Sequence, residues 1–89
     1  HGVYATRVTF ENGESRPAVT NIGVRPTVDD GDRVTVEGFI LDFQGDLYGQ
    51  TVRMEFYKRL RGERKFPSLE ALKDEVMRNA EQTRAYFST

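Results

Sequence analysis

The ten residues Val34-Thr35-Val36-Glu37-Gly38-Phe39-Ile40-Leu41-Asp42-Phe43 restrict this chain more than any other stretch. They are dense in β-branched and aromatic side chains and show no helical period, so they read as a β-strand. Period-two alternation puts Thr35, Glu37, Phe39, Leu41 and Phe43 on one face, and Val34, Val36, Gly38, Ile40 and Asp42 on the other. Both faces are largely apolar, which predicts a strand covered on both sides. Glu37 is then an anomaly, because an unpaired carboxylate in apolar surroundings is costly. An ion pair with Arg7 or Arg53 would answer it structurally. A site would answer it functionally, since a desolvated carboxylate makes a general base for a hydroxyl.

The strand sits in a chain of 89 residues, enough for one small domain, 1–89, with a modest core. Residues 2–10 form a strand pattern, and Glu11-Asn12-Gly13-Glu14 supplies Asn-Gly, a strong hairpin signal that predicts positive φ at both residues. The return strand spans 15–22, with Pro17 at an edge or at the strand's start. Residues 21–32 hold Gly23, Pro26 and the run Asp29-Asp30-Gly31-Asp32, and read as a long irregular acidic connection. The acid spacing there matches no calcium loop. The strand at 34–43 ends in a Gly/Asp turn over 44–50 that carries Tyr48 at its tip. Over 51–60, Val52, Met54 and Phe56 alternate with Arg53, Glu55 and Tyr57, which predicts one buried and one wet face. After a basic connection ending in Phe66-Pro67, Ser68 is placed to cap a helix over 68–87. Its stripe of Leu69, Leu72, Val76, Ala80, Thr83 and Phe87 predicts packing on the sheet and no chemistry.

Thirteen basic against fourteen acidic residues leave a net charge of −1, which counts against a dedicated nucleic-acid binder. The absence of cysteine removes disulfides and thiolate metal sites, and fits a cytoplasmic protein. No run approaches a membrane span and no signal peptide is visible; the strand-like start at His1-Gly2-Val3-Tyr4 suggests a piece of something longer. The cationic cluster at 59–65 beside Phe66 is either a solvated loop or a site for an anion or planar ring. There is no Walker loop, dinucleotide fingerprint, metal-spaced His pair or Ser/His/Asp set. The residues alone stop at a small β domain with a possible acid/base site.

Four motifs occur in order: Asn21-Ile22-Gly23-Val24-Arg25-Pro26-Thr27; Val36-Glu37 leading into Ile40-Leu41-Asp42-Phe43; Gly45-Asp46-Leu47-Tyr48-Gly49; and Leu60-Arg61-x-Glu63-x-Lys65-Phe66 before Ser68-Leu69. Together they cover nearly all of the chain, which resembles the riboflavin kinase (flavokinase) domain, most like that forming the C-terminal part of bacterial bifunctional riboflavin kinase/FAD synthetase. The resemblance implies a mainly β fold, a small antiparallel Greek-key β-barrel of six strands with one C-terminal α-helix. It implies transfer of the ATP γ-phosphate to the ribityl 5′-hydroxyl of riboflavin, giving FMN, with Mg²⁺. It further implies Glu37 as catalytic base, Tyr48 at the nucleotide with Ile40 and Asp42 lining the same pocket, and Arg61, Arg64 and Phe66 at the flavin. Asn79 stands in the last helix where an acid is common in that family. The family's Gly-x-Pro-Thr-Ala-Asn motif, which holds Mg²⁺ and phosphates, does not occur in these residues, so no metal ligand is assigned here. The expectation is therefore a portion of a flavokinase, inactive alone, whose parent carries an FMN adenylyltransferase domain. Two other readings are a non-catalytic flavin-binding or regulatory barrel and a small nucleic-acid-binding barrel using residues 59–65.

Overall fold

A tight turn at Glu11-Asn12-Gly13 joins β1 (Gly2–Thr9) to β2 (Ser15–Thr27) in a computed structural model that describes residues 1–27, 31–45, 47 and 49–88. Gly13 N–H donates to the Phe10 carbonyl at 3.0 Å, and Phe10 N–H donates to the Glu14 carbonyl at 2.8 Å. Asn12 Oδ1 accepts from the Glu14 amide at 2.9 Å. Within the turn only Gly13 takes a positive φ, +90°, so the loop has three residues with one left-handed glycine rather than two residues that both turn left-handed.

β2 does not stop at Gly23. It pairs with β3 (Gly31–Ile40) from Ala18↔Ile40 to Thr27↔Gly31, so most of the stretch read as an irregular connection is ladder. Gly23 and Pro26 weaken a strand locally, but a long partner holds it, and proline forfeits one donor only. Asp29 and Asp30 lie outside the described residues. β4 (Arg53–Arg61) pairs antiparallel with β1, giving the order β3-β2-β1-β4. This is Greek-key order, in a mainly antiparallel four-stranded sheet followed by one helix, α1 (Leu69–Phe87).

The order makes β3 and β4 the two edges of the sheet, while α1 packs on β1 and β2. β3 is accordingly not the doubly covered strand that its apolar faces predict. Val34, Val36 and Phe39 are 60%, 56% and 50% exposed, and Glu37 is exposed among them. β4 likewise lacks a clean dry face, with Phe56 and Tyr57 both about half exposed. Apolar pattern reports what a strand can bury, not whether a neighbour covers it.

The sheet curls strongly. Strands lie about 4.8 Å apart, so β3 and β4 would be separated by about 14 Å if it were flat. Instead Met54 Cε of β4 lies 3.3 Å from the point a Cβ on Gly38 of β3 would occupy, and Met54 Sδ accepts from the Thr20 hydroxyl at 3.6 Å. Inside the curl, Val8, Phe10 and Ala18 form a core with Ile40, Phe43, Leu47 and Met54, and the buried Thr6 and Thr20 hydroxyls bond at 2.8 Å. On the opposite face, Val3, Val19 and Leu41 pack with Ala80 of α1 and with Leu60.

α1 starts where its cap directs: Ser68 Oγ accepts from the Ala71 amide at 3.1 Å. Its buried stripe differs from the apolar one. Ala80 and Thr83 are buried, Leu69 is 79% exposed, and Glu75 and Asn79 are buried in the same stripe. The helix end is fixed by Arg84, which bonds Asp42 at 3.1 Å, and by Phe87, edge-on to Tyr57 at 5.0 Å.

Leu41 is fully buried between sheet and helix. Leu41→Ala is expected to cost about 2–5 kcal/mol in urea denaturation, as full burial with little room to collapse requires. A loss under about 1 kcal/mol would contradict this packing.

Candidate active site

Cross-strand register aligns four residues into one row. Glu37 of β3 stands opposite Asn21 of β2, Asn21 opposite Val3 of β1, and Val3 opposite Arg61 of β4. In the next row on that face, Phe39 stands opposite Val19. This is the face that α1 covers. Between it, the helix and residues 62–66 lies a cavity of about 530 Å³, within the range of small-molecule sites. Val3, Val19 and Phe39 from the sheet, and Leu72 and Val76 from the helix, give it an apolar wall. Asn21, Glu37, Arg61, Glu63 and Arg64 supply its polar groups, and Phe66 its aromatic edge.

The guanidiniums are held from behind by the helix. Arg61 Nε lies 3.2 Å from Glu75 Oε2 and donates to Asn79 Oδ1 at 3.1 Å. Arg61 Nη1 donates to the Gly62 carbonyl at 3.2 Å. Glu75 Oε1 is also approached by Arg64 at 3.7 Å and by Arg78 at 3.1 Å. The hydrogen bond from Arg78 holds the Glu75 carboxyl below its ordinary value of 4.5, against the burial that pushes it up; the Asn79 amide and the Arg64 charge assist. The Arg61 and Arg64 guanidinium carbons lie 5.4 Å and 4.8 Å from the Phe66 ring centre, both within cation–π range. Gly23 has its own part here: a Cβ on it would stand 2.5 Å from Glu63 Oε1, so only glycine lets that carboxylate lie against β2 undisturbed.

Of the residues singled out in the sequence, Glu37, Arg61, Arg64 and Phe66 come together on this cavity. Glu37 does so as an exposed group on an edge strand, not the desolvated one its neighbours suggested. Ile40 packs into the core inside the curl. Asp42 sits in the turn after β3 at φ +54° with its carboxylate on Arg84. Tyr48 lies outside the described residues. Glu75 goes unmarked in the sequence, and Asn79 is marked only as standing where an acid is common, because apolar periodicity passes over polar residues; their signal is the spacing 75, 79, 83 within the stripe that holds Val76 and Ala80. Among the described residues no group of three or more His, Cys, Asp or Glu could hold a metal ion, so these side chains alone do not fit a Mg²⁺ site. A second cleft, about 480 Å³, lies between β4 and the end of α1 and is lined by Lys58, Leu60, Gln82, Ala85 and Tyr86. No described helix is long and apolar enough to cross a membrane.

The arrangement is a Greek-key sheet backed by one helix, with a cavity of small-molecule size ringed by carboxylates and guanidiniums. The family model described as "Flavokinase: Riboflavin kinase" matches residues 1–87, and the chain belongs to that family. It is similar to the bifunctional riboflavin kinase/FMN adenylyltransferases of Pseudomonas fluorescens, 44% identical over 94% of this chain, and Haemophilus influenzae, 39% identical over 99%. That of Escherichia coli is 40% identical over 97% of this chain. The chain spans only 27–28% of the length of these relatives. Among solved structures, a crystal structure titled as a macrolide-efflux protein from Streptococcus pneumoniae shares the fold at a TM-score of 0.84 and 32% identity, over 93% of this chain and 27% of that one.

Because the Glu75 carboxyl is held low, the stability it adds is fully present above pH 4.5 and is lost as pH falls through its lower folded value. Thermal melts between about pH 7 and about pH 3 are expected to decline in that acid window for the wild type, and less steeply for Glu75→Gln. Parallel curves would show that Glu75 carries no such linkage.

Proposed function

We propose that this chain supplies the flavin side and the catalytic base of a riboflavin kinase, which phosphorylates the ribityl 5′-hydroxyl of riboflavin with ATP to give FMN. What supports this reading most is that Glu37 and the trio Arg61, Arg64 and Phe66, which come from separate motifs, line one cavity of about 530 Å³. Glu37 and Arg61 stand at opposite ends of a four-residue row, a span suited to a ligand with a flat ring at one end and a hydroxyl chain at the other.

The isoalloxazine ring lies against Phe66 and the guanidiniums, with Val3, Val19 and Leu72 excluding water from its apolar edge. The ribityl chain runs along the row toward Glu37. Exposure of Glu37 on an edge strand then serves the chemistry, because it leaves the carboxylate accessible to a substrate hydroxyl. As the hydroxyl oxygen bonds to the γ-phosphorus and the bond to the ADP oxygen breaks, Glu37 takes the hydroxyl proton. Phosphoryl transfer depends mainly on positioning and charge neutralisation, which fits the lack of a covalent nucleophile.

ATP and Mg²⁺ are the co-substrate and metal of this reading. Tyr48 is its nucleotide-side residue; Ile40 and Asp42 stand off the cavity, occupied by the core and by Arg84. The Thr-Asn phosphate motif is not among the 89 residues, so the chain alone is expected to bind flavin without turning over. The relatives' names support a parent enzyme that also has an FMN adenylyltransferase domain, acting in FAD biosynthesis; a cytoplasmic location belongs to the same reading.

Riboflavin titrated with the chain is expected to lose fluorescence saturably. When the chain is joined to its nucleotide-binding segment, Glu37→Gln is expected to slow FMN formation about 10²–10⁴-fold with flavin affinity little changed. Full activity in that variant refutes the base assignment. Salt-sensitive oligonucleotide binding indifferent to riboflavin would overturn the kinase reading itself.

A further inference from the structure

The apolar stripe of α1 and the flavin-side residues leave one group unused: a carboxylate whose side chain is 7% exposed at the back of the cavity. Three guanidiniums converge on Glu75, from Arg61 at 3.2 Å, Arg78 at 3.1 Å and Arg64 at 3.7 Å. Arg78 lies on the same helix, 64% exposed, and is not on the cavity wall. Arg61 and Arg64 are on it. Arg61 is only 17% exposed, and Asn79 reinforces its hold: Asn79 Oδ1 accepts from Arg61 Nε, while Asn79 Nδ2 donates to Glu75 Oε2 at 3.2 Å and to Gln82 Oε1 at 2.9 Å.

Arginine side chains carry large rotamer entropy, and two of them beside an open cavity would ordinarily sample many poses. Here the Arg61 fork is fixed on its helix side through Nε and just past the end of its own strand through Nη1 on the Gly62 carbonyl. Arg61 and Arg64 then sit around one phenyl ring at 5.4 Å and 4.8 Å. We propose that Glu75 is a positioning residue, holding Arg61 and Arg64 around Phe66 as a preformed cationic–aromatic platform for the planar ring of a flavin. This rests on the flavin reading above and adds to it the group that builds the ring-binding wall. Preorganisation of this kind raises affinity by removing the ordering cost from the binding step.

The test titrates riboflavin fluorescence with the wild-type chain, with Glu75→Gln, and with the double variant Glu75→Gln/Asn79→Asp. Thermal melts and the ¹⁵N resonance of the Arg61 Nε–H group are recorded on the same samples. Glutamine keeps the shape and an acceptor but loses the charge, so riboflavin affinity is expected to fall about tenfold and the Arg61 Nε–H, still bonded to Asn79, to exchange faster than in wild type. The double variant returns a carboxylate to the position now 3.1 Å from Arg61 Nε, and is expected to recover affinity to within about threefold of wild type. Unchanged affinity in Glu75→Gln overturns the proposal, and so does a loss that the double variant fails to recover. If the wild-type chain binds no riboflavin, the flavin reading is what fails; the positioning claim then stands if Arg61 Nε–H exchange quickens in Glu75→Gln and slows again in the double variant, and falls otherwise. Should Glu75→Gln not fold, the wild-type resonance decides: exchange as fast as that of exposed Arg53 overturns the claim, and protection lost on acidification supports it.

Discussion

The contact between Arg61 at the end of β4 and Glu75 in the middle of α1, 3.2 Å long and shielded from water, is the interaction on which the cavity depends. An ion pair removed from solvent adds little net stability unless its remaining hydrogen bonds are met. Here they are met by Asn79, Arg78 and the Gly62 carbonyl. What the pair adds is specificity of placement. It ties an edge strand, the segment 62–66 and a helix into one wall, although that segment has no regular secondary structure of its own. Without it, α1 would rest on the sheet through Ala80, Val3, Val19 and Leu41 and through the contacts of Arg84 and Phe87 at its far end, with its Glu75 turn untied from β4.

The opposite wall owes its form to sheet curvature. Curling brings β3 and β4 together on the inside, with Met54 filling the space above Gly38, and opens the outer face toward α1. Glu37 and Arg61 therefore project from the two edges of the sheet, joined by Asn21 and Val3 through register alone. An edge strand is normally a liability in water. In this protein it lets a carboxylate stand at the rim of an apolar cavity with solvent on one side.

Much of this was legible in the residues. Asn12-Gly13 marked the first hairpin and Ser68 the start of the helix, because turn and cap chemistry are local. The motif residues Glu37, Arg61, Arg64 and Phe66 were named before anything placed them on one cavity. Three things were not legible. The ladder through Gly23 and Pro26 depends on a partner strand that local breaker signals cannot see. The exposure of Val34, Val36 and Phe39 depends on strand order, since a pattern apolar on both faces fits a central strand as well as an edge. The burial of Glu75 and Asn79 depends on a counter-charge fourteen residues upstream at Arg61. Polar residues in a helical stripe carry no hydrophobic signal; only the pairing of a basic strand end with an acid at the right turn of the helix would have marked them.

The central claim is that the cavity between β1, β2, α1 and residues 62–66 takes a flavin with its ring at Phe66 and its chain toward Glu37. Intermolecular nuclear Overhauser effects from riboflavin to the ¹⁵N,¹³C-labelled chain test it most directly. The account predicts contacts from the dimethylbenzene or pyrimidine edge to the Phe66 and Leu72 side chains, and from the ribityl protons to the side chains around Glu37, such as Phe39. Contacts confined to Lys58, Leu60 and Tyr86, at the second cleft, would contradict it.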